Sequence, residues 1–382
     1  MMKIKEITIF SIGDSRKVST WSGIPYFLSA QIEQKGIKIN RIDISPNRYI
    51  QWLYNHTITK IYKLLHPKTE HDYFTSTFNC ILMILKLSVF QFIHRKADFD
   101  LVLSYSVYIL FRRKKVCLLS DWTLKQYIIN QKHRPLYSEE HRYANYQKKC
   151  LKRCNTIISL FPKSATEISK DINQEVFHLG TNVVNNCCDT EITHSIINPK
   201  WENKKLLFIG RPSYAIGANF LLEAFERIKH KHPTAELHFI GITAEHLGIK
   251  QEKENIYFYG YLKRENKEQK DLYYDLLIKS TIFVNPTQEW GGYSSVIEAM
   301  YFYTPIIVAP FNEFVNEFGK IIEFGSYIDS YSIEKLSNII DSLLNLSFES
   351  YYQKALNAHK NVKNHTWEYF TDCLLEKISI KN

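Results

Sequence analysis

Between Thr281 and Pro310 the chain reads TIFVNPTQEWGGYSSVIEAMYFYTPIIVAP, a stretch whose residue types and spacing could hold an anion. Ile282 to Val284 forms a short apolar strand, a loop carries Glu289, Gly291 and Gly292, a helix runs from Ser294 to Phe302, and a second strand spans Ile306 to Ala309. Pro305 enforces an extended lead into that second strand. Unsatisfied N–H groups at a helix start, the helix dipole, and glycines that let a phosphate approach the backbone all favour negative charge at such a turn. Glu298, about one turn into the helix, would then reach sugar hydroxyls beside the phosphate. An αβ unit with Glu298 in a solvated helix start carries the same pattern, so residue types alone leave both readings open.

Two more residues follow apolar strands directly. Arg211 comes after KLLFIG (Lys205 to Gly210), and Asp121 after KVCLLS (Lys115 to Ser120). In a parallel sheet both stand at the carboxyl edge, where side chains meet ligand. A guanidinium there can grip diphosphate oxygens through two N–H groups, or it can be a surface charge. Asp121 can act as base toward an acceptor hydroxyl, or face positive charge developing on a sugar. It is equally placed to N-cap the helical pattern of Leu124, Tyr127 and Ile128.

The elements that must position these residues follow from hydrophobic patterning. Ile4 to Ser11 is a strand, Gly13 to Gly23 (GDSRKVSTWSG) a loop, Ile24 to Lys35 a helix with Pro25 in its first turn and Gly36 past its end, and Ile37 to Ile44 the next strand. This opening predicts a doubly wound parallel sheet, continued by strands at Phe99–Ser106, Lys115–Ser120, Thr156–Leu160 and Glu175–His178, with helices at Glu139–Arg153 and Lys163–Asp171. Polar text from Val183 to Lys204, with Pro199 in it, reads as a linker. Strands at Lys205–Gly210, Ala235–Gly241, Ile256–Tyr261, Ile282–Val284, Ile306–Ala309 and Ile321–Phe324 then alternate with helices and predict a second sheet of the same kind. Three helices, Tyr331–Leu346, Phe348–Lys363 and Trp367–Ile380, close the chain.

A chain of 382 residues, 45% hydrophobic and 23% charged, can bury two ordinary α/β cores and is not disordered material. MMKIKEITIF leads straight into a strand pattern without a signal peptide's apolar region. The longest apolar run, Cys80 to Ile93, is broken by Lys86 and is too short to span a bilayer, so a cytoplasmic protein is expected. Seven scattered cysteines lack the CxxC spacing of a zinc site. Cys150 and Cys154, four apart on a helix, suit a metal or redox pair, or plain apolar packing. Residues 1–190 hold 28 Lys and Arg against 15 Asp and Glu, whereas residues 191–382 hold 21 against 24. So basic a first half implies an anionic partner, whether phospholipid headgroups, a lipid phosphate or nucleic acid, or else a soluble basic surface. In Tyr49 to Arg95, Trp52, Tyr54, Ile58, Ile61, Tyr62, Leu64 and Leu65 alternate with Lys60, Lys63, His66 and Lys68, as in a helix at a membrane interface. A helix packed on the sheet with a basic outer face gives the same period.

The stretch from Thr281 resembles the donor-site signature of family 4 glycosyltransferases: an acidic residue, a glycine-bearing loop, Glu-Ala-Met, then a Pro-Ile-Ile-Val strand. The resemblance implies an α/β protein of the GT-B fold, with two facing Rossmann-like domains and an interdomain cleft. Residues 1–190 would be the acceptor side, 200–365 the nucleotide-sugar side, and 366–382 a terminal helix crossing back. It further implies that Glu298 holds the donor ribose, Gly291, Gly292, Ser294 and Ser295 line sugar and diphosphate, Arg211 grips the diphosphate, and the backbone after Gly260 touches the base. Thr20, Trp21, Ser22, Gly23 and Pro25 resemble a TWSGTP-like opening in which Gly23 lies beside the sugar; a turn glycine is the plain alternative. Asp121 and Glu289 are the expected catalytic carboxylates. The pattern departs from the family at Trp290, which stands eight before Glu298 where an acid is usual, at Tyr293 for glycine, at Tyr303 for a small residue, and at Ile216 for lysine. Lys263 and Arg264 could face phosphate or solvent.

The expected activity is transfer, with retention, of a hexosyl or N-acetylhexosaminyl group from a nucleotide diphosphate donor to a hydroxyl of a lipid-linked or polysaccharide acceptor, in bacterial surface glycan synthesis such as that of lipopolysaccharide. No metal or other cofactor is expected, since none of the acidic motifs suggests a DxD-type metal site. The expected location is peripheral, on the anionic inner face of the cell membrane. A non-catalytic partner subunit of the same fold and a nucleotide-sugar epimerase are the alternatives. A nucleic-acid partner is not expected, because no RNP, zinc-finger or helix-turn-helix signature accompanies the basic half.

Overall fold

Runs of β-branched and aromatic residues supply two sheets, each of six strands, and every recorded pairing between neighbours is parallel. The computed structural model describes residues 4–66, 71–104, 115–180, 194–251, 253–288 and 292–380. Glu289, Trp290 and Gly291 lie outside the described residues. Two units result, residues 1–181 with 367–382, and residues 182–366.

The first unit runs β1 (Glu6–Ser11), α1 (Ile24–Gln34), β2 (Lys38–Asp43), α2 (Arg48–His56), α3 (Ile58–Leu65), α4 (Thr77–Ile93), β3 (Phe99–Leu103), β4 (Val116–Ser120), α5 (Leu124–Gln131), α6 (Ser138–Leu151), β5 (Thr156–Ser159), α7 (Pro162–Ile172) and β6 (Phe177–His178). Its strand order is β2-β1-β3-β4-β5-β6. The second unit runs α8 (Ile197–Asn203), β7 (Lys205–Ile209), α9 (Ala215–Ile228), β8 (Glu236–Ile240), β9 (Ile256–Phe258), α10 (Lys267–Lys279), β10 (Ile282–Asn285), α11 (Ser294–Tyr301), β11 (Ile306–Val308), α12 (Asn312–Phe318), β12 (Gly325–Tyr327), α13 (Ile333–Leu344) and α14 (Phe348–Val362). Its order is β12-β11-β10-β7-β8-β9, so the winding direction reverses between β7 and β10. Ligands of such sheets bind outside the carboxyl ends at that reversal. The final helix, α15 (Trp367–Ile380), packs on α1 of the first unit, where Trp367 stacks on Phe27 with ring centroids 6.1 Å apart and Lys35 pairs with Asp372.

Leu206, Phe208, Phe239, Ile282, Val284 and Ile307 are wholly buried between sheet and helices in the second unit. Burying each such side chain stabilises by about 1.5–3 kcal/mol, which makes the strand ends a rigid base for whatever follows them.

Three readings of the sequence are corrected. Ile321 to Phe324 is not a strand: α12 precedes it, Gly319 turns the chain with φ +94°, Ile321 is exposed, and the strand begins at Gly325, opposite Ile306. The polar text at 194–204 is not linker throughout, because it holds α8. Lys200 in that helix is fully buried, and its ammonium donates to the Leu277 and Ser280 carbonyls and to Thr304 Oγ1 at 2.7, 3.0 and 2.9 Å. Burial pushes its pKa well down. Asp121 is not the cap of α5: Thr123 is, through a capping box in which Gln126 N–H donates to Thr123 Oγ1 and Thr123 N–H to Gln126 Oε1.

Candidate active site

In the second unit, the loops after β7 and β10 rise at the reversal point of the sheet. Arg211 follows β7 after Gly210; its side chain is exposed and makes no hydrogen bond or ion pair among the described residues. Gly210, Gly241 and Gly260 follow β7, β8 and β9 and are joined edge to edge, Gly210 N–H donating to Ile240 O at 3.0 Å and Gly241 N–H to Gly260 O at 2.6 Å. Gly241 has φ +86°, and a Cβ there would collide with the Gly210 carbonyl. The absence of side chains keeps the rim of the sheet low beside Arg211.

Gly217, in the first turn of α9, lies against Thr287, two residues past β10; a Cβ on Gly217 would stand 2.9 Å from the Thr287 Cα and backbone N. The Thr287 hydroxyl is buried and without a hydrogen-bond partner among the described residues. Such a group costs about 1–3 kcal/mol unless something satisfies it. α11 begins at Ser294 with no side-chain cap, and among the described residues Ile297 N–H is the first to return to a carbonyl of its own turn, Tyr293 O, at 3.0 Å. Gly292 and Ser295 are half-buried and Ser294 exposed, so the amides of this helix start are not sealed into the core.

Glu298, in the second turn of α11, is 4% exposed. Arg264 Nη1 donates to its Oε1 at 3.2 Å and the Tyr273 hydroxyl to its Oε2 at 2.5 Å. The Arg264 guanidinium also lies 5.4 Å from the centre of the Tyr273 ring. Burial works against the charge on Arg264, but the Glu298 carboxylate and the adjacent tyrosines outweigh it and hold its pKa above the usual value. Burial first, then the Glu298 charge, pushes Tyr273 well up. Sequence reasoning left Arg264 facing phosphate or solvent and did not single out Tyr273. The two sit in the loop after β9 and in α10, and no periodicity links them to α11.

Of the departures from the family pattern, Tyr293 points away from the surface. Its ring is fully buried, 5.2 Å from that of Phe314, and its hydroxyl donates to Glu317 at 2.6 Å. Tyr303 takes the left-handed φ of +59° that glycine would favour, with its ring stacked 4.1 Å from His359. Ile216 is 71% exposed at the start of α9. Lys263 is exposed, and its N–H donates to Gln269.

In the first unit, Trp21, Ser22 and Gly23 take φ of +41°, +57° and +85° in succession. Two non-glycine residues in this region store roughly 1–3 kcal/mol each. A Cβ on Gly23 would stand 2.6 Å from the Phe27 ring, so glycine is required where this loop turns into α1. Asp121 follows β4, half-buried, with Oδ1 accepting from Trp122 N–H at 2.7 Å. Burial pushes its carboxyl up to about 6, opposed by hydrogen bonds from Trp122 N–H and the Trp21 side chain. The Asp121 carbonyl accepts from Ser159 and Ser164, which fixes the strand end.

Among the described residues no group of three or more His, Cys, Asp or Glu side chains is placed to hold a metal. Cys150 and Cys154 are both buried, and burial pushes Cys150 up to about 11, which suits packing.

Solved structures share this architecture across almost the whole chain. TarM superposes with a TM-score of 0.64 at 12% identity over 99% of both chains. Anabaena HepE, solved with UDP and glucose, superposes with a TM-score of 0.61 at 13% identity over 99% of this chain and 100% of its own. Two parallel six-stranded sheets with these neighbours define the GT-B fold, as the sequence resemblance implied. An uncharacterized glycosyltransferase of Haemophilus influenzae is 26% identical over 195 residues, 50% of this chain and 52% of its own, so the match spans about half of that relative. Residues 189–365, nearly the whole of the second unit, match the family model of the glycosyl transferases group 1.

Proposed function

We propose that the chain is a glycosyltransferase that moves a hexosyl or N-acetylhexosaminyl group, with retention, from a nucleotide diphosphate donor to a hydroxyl of a lipid-linked or polysaccharide acceptor at an anionic membrane surface. In that reaction the bond from the anomeric carbon to the diphosphate breaks, the acceptor oxygen takes its place, and the hydroxyl proton leaves. The departing diphosphate develops the largest charge, and preorganised donors aimed at it are the strongest lever available. Arg211, the amides of Gly292, Ser294 and Ser295, and the Thr287 hydroxyl are assigned to it. Glu298, whose Oε1 accepts from Arg264 and Oε2 from Tyr273, keeps further acceptor capacity on each oxygen for a ribose hydroxyl. Gly260 leaves room for the base. Asp121, with its raised pKa, is assigned to take the acceptor proton, and Gly23 to the transferred sugar and diphosphate. Glu289 keeps the role of second carboxylate that the resemblance gives it. A guanidinium and amides carry the leaving group, so the reading needs no metal or cofactor.

One observation carries the proposal. Among the described residues, an arginine without a side-chain partner, an uncapped helix start and a buried hydroxyl without a hydrogen bond all lie at the reversal point of one sheet. Incubation with a panel of nucleotide sugars tests it by release of nucleoside diphosphate, starting with UDP-sugars because HepE was solved with UDP and glucose. Release that depends on Arg211 and Glu298 supports the reading. The exposed Ile216, where the family carries a cation, favours the non-catalytic partner instead, and that reading predicts no release from any donor.

A further inference from the structure

We propose that α2, α3 and α4 form a monotopic docking surface that lies in the headgroup region of an anionic lipid bilayer. This deepens the membrane association proposed above by naming the surface that makes it, and it rests on that reading only for its biological use. Each of the three helices carries an apolar stripe on its exposed side. In α4 the exposed residues Phe78, Ile81, Leu85, Val89 and Phe92 recur at helical spacing on one face, although the opposite, buried face already supplies Cys80, Met83 and Leu87 to the core beside the polar Asn79 and Gln91. Gln91 is satisfied by the buried Asp100 at 2.7 Å and Asn79 by Phe74 O at 3.2 Å. α3 has no buried residue at all, yet Ile58, Ile61, Leu64 and Leu65 face solvent, Leu64 at 82% exposure. α2 adds Tyr49, Trp52 and Leu53 at the same spacing, with Tyr49 85% exposed. An apolar surface this extensive marks a binding site rather than ordinary surface scatter.

The stripes adjoin. Tyr54 of α2 stacks on Phe78 at the start of α4 with centroids 5.7 Å apart, and His71 bonds to the Tyr54 hydroxyl at 2.9 Å and to Glu139 of α6 at 2.6 Å. The α2–α3 pair is thereby pinned to the body of the unit before any partner arrives.

Charge selects the occupant. Residues 48–96 hold seven Lys and Arg against two acidic residues. Arg48, Lys60, Lys63, Arg95 and Lys96 are exposed, and none of the five is paired with a carboxylate among the described residues. A second copy would bring the same cations against these, whereas anionic headgroups neutralise them while the acyl boundary takes the apolar stripes. Trp52 and Tyr49 are the residue types that settle at that boundary. Among the described residues no helix is long and apolar enough to cross a membrane, so the surface lies on the bilayer.

The test is co-sedimentation of the full chain with vesicles of phosphatidylcholine alone and of phosphatidylcholine with phosphatidylglycerol, beside light scattering without lipid. The variants are Leu64→Ser with Leu65→Ser, Leu85→Ser with Val89→Ser, and Lys60→Glu with Lys63→Glu, all at exposed positions whose folding is checked by melting temperature. Binding to phosphatidylglycerol vesicles that weakens with salt, and falls about tenfold or more in each variant, is the expected result. No binding to anionic vesicles, equal binding by the variants, or a lipid-free dimer that the variants dissociate would each overturn it. The melting shift given by nucleotide sugars is expected to be the same in the variants and wild type, so failure of this surface and failure of the donor site are read separately.

Discussion

Arg264 reaches across from the loop after β9 to hold Glu298 in the second turn of α11, Nη1 to Oε1 at 3.2 Å. The carboxylate is buried and the guanidinium only partly exposed, so the pair is a joint within the unit as well as a wall of the candidate site.

Removing one partner of a buried pair leaves the other charge uncompensated, at about 3–5 kcal/mol. Arg264→Ala is therefore expected to lower stability to urea by about 3 kcal/mol and to weaken nucleotide-sugar binding with it. Tyr273→Phe, which removes one hydrogen bond to the carboxylate, should cost less, about 1.5–3 kcal/mol. Equal stability of Arg264→Ala and wild type in urea would show that Glu298 does not depend on this partner.

Asp121 should leave a signature in pH. Its carboxyl is pushed up to about 6 in the folded chain, against roughly 3.9 unfolded. Below about pH 4 both states hold the proton and the residue costs nothing. Between about 4 and 6 only the folded state holds it, so stability falls as pH rises, and above that window the cost is fully present at roughly 2–3 kcal/mol. Asp121→Asn should thus be more stable than wild type at neutral pH and no more stable at acid pH, by urea unfolding, while losing sugar transfer. The wild-type rate should drop on acidification through about pH 6 as the base is protonated.

Thr287 separates folding from binding. Thr287→Val keeps the shape beside Gly217 and removes a buried hydroxyl that has no partner among the described residues. The free protein should be as stable or more stable, by up to about 1–3 kcal/mol, and its affinity for the donor lower. Unchanged donor affinity would remove this hydroxyl from the site.

If protein groups alone meet the leaving diphosphate, chelation has nothing to remove. Turnover after exhaustive EDTA treatment should match turnover with added magnesium or manganese. A rate restored only by a divalent ion would assign part of that charge to a metal.

Most of the sheet could be read from apolar runs, because strands buried on both faces must be continuously apolar, as VCLLS in β4 and KLLFI in β7 are. Where composition misled, a buried partner lay elsewhere in the chain. The polar text of α8 reads as linker until Lys200 is matched with acceptors 77 to 104 residues away. Asp121 reads as a cap until Thr123 takes that role. The stretch from Ile282 to Val308 was legible as strand, turn, helix and strand. The hold of Arg264 and Tyr273 on Glu298, 34 and 25 residues distant, was not, since only tertiary packing brings them together. Nor could the left-handed run through Trp21 and Ser22 be read, as only Gly23 among those residues favours that conformation.

The donor site itself is tested most directly by the melting temperature of the full chain across a panel of nucleotide sugars and nucleoside diphosphates, in wild type, Arg211→Ala and Glu298→Gln. A ligand held only by the folded state at about 100 times its dissociation constant adds about 2.7 kcal/mol, a shift easily read. The account predicts a shift from at least one donor in wild type, a smaller one in Arg211→Ala and none in Glu298→Gln. No shift from any donor, or the same shift in all three proteins, would contradict it.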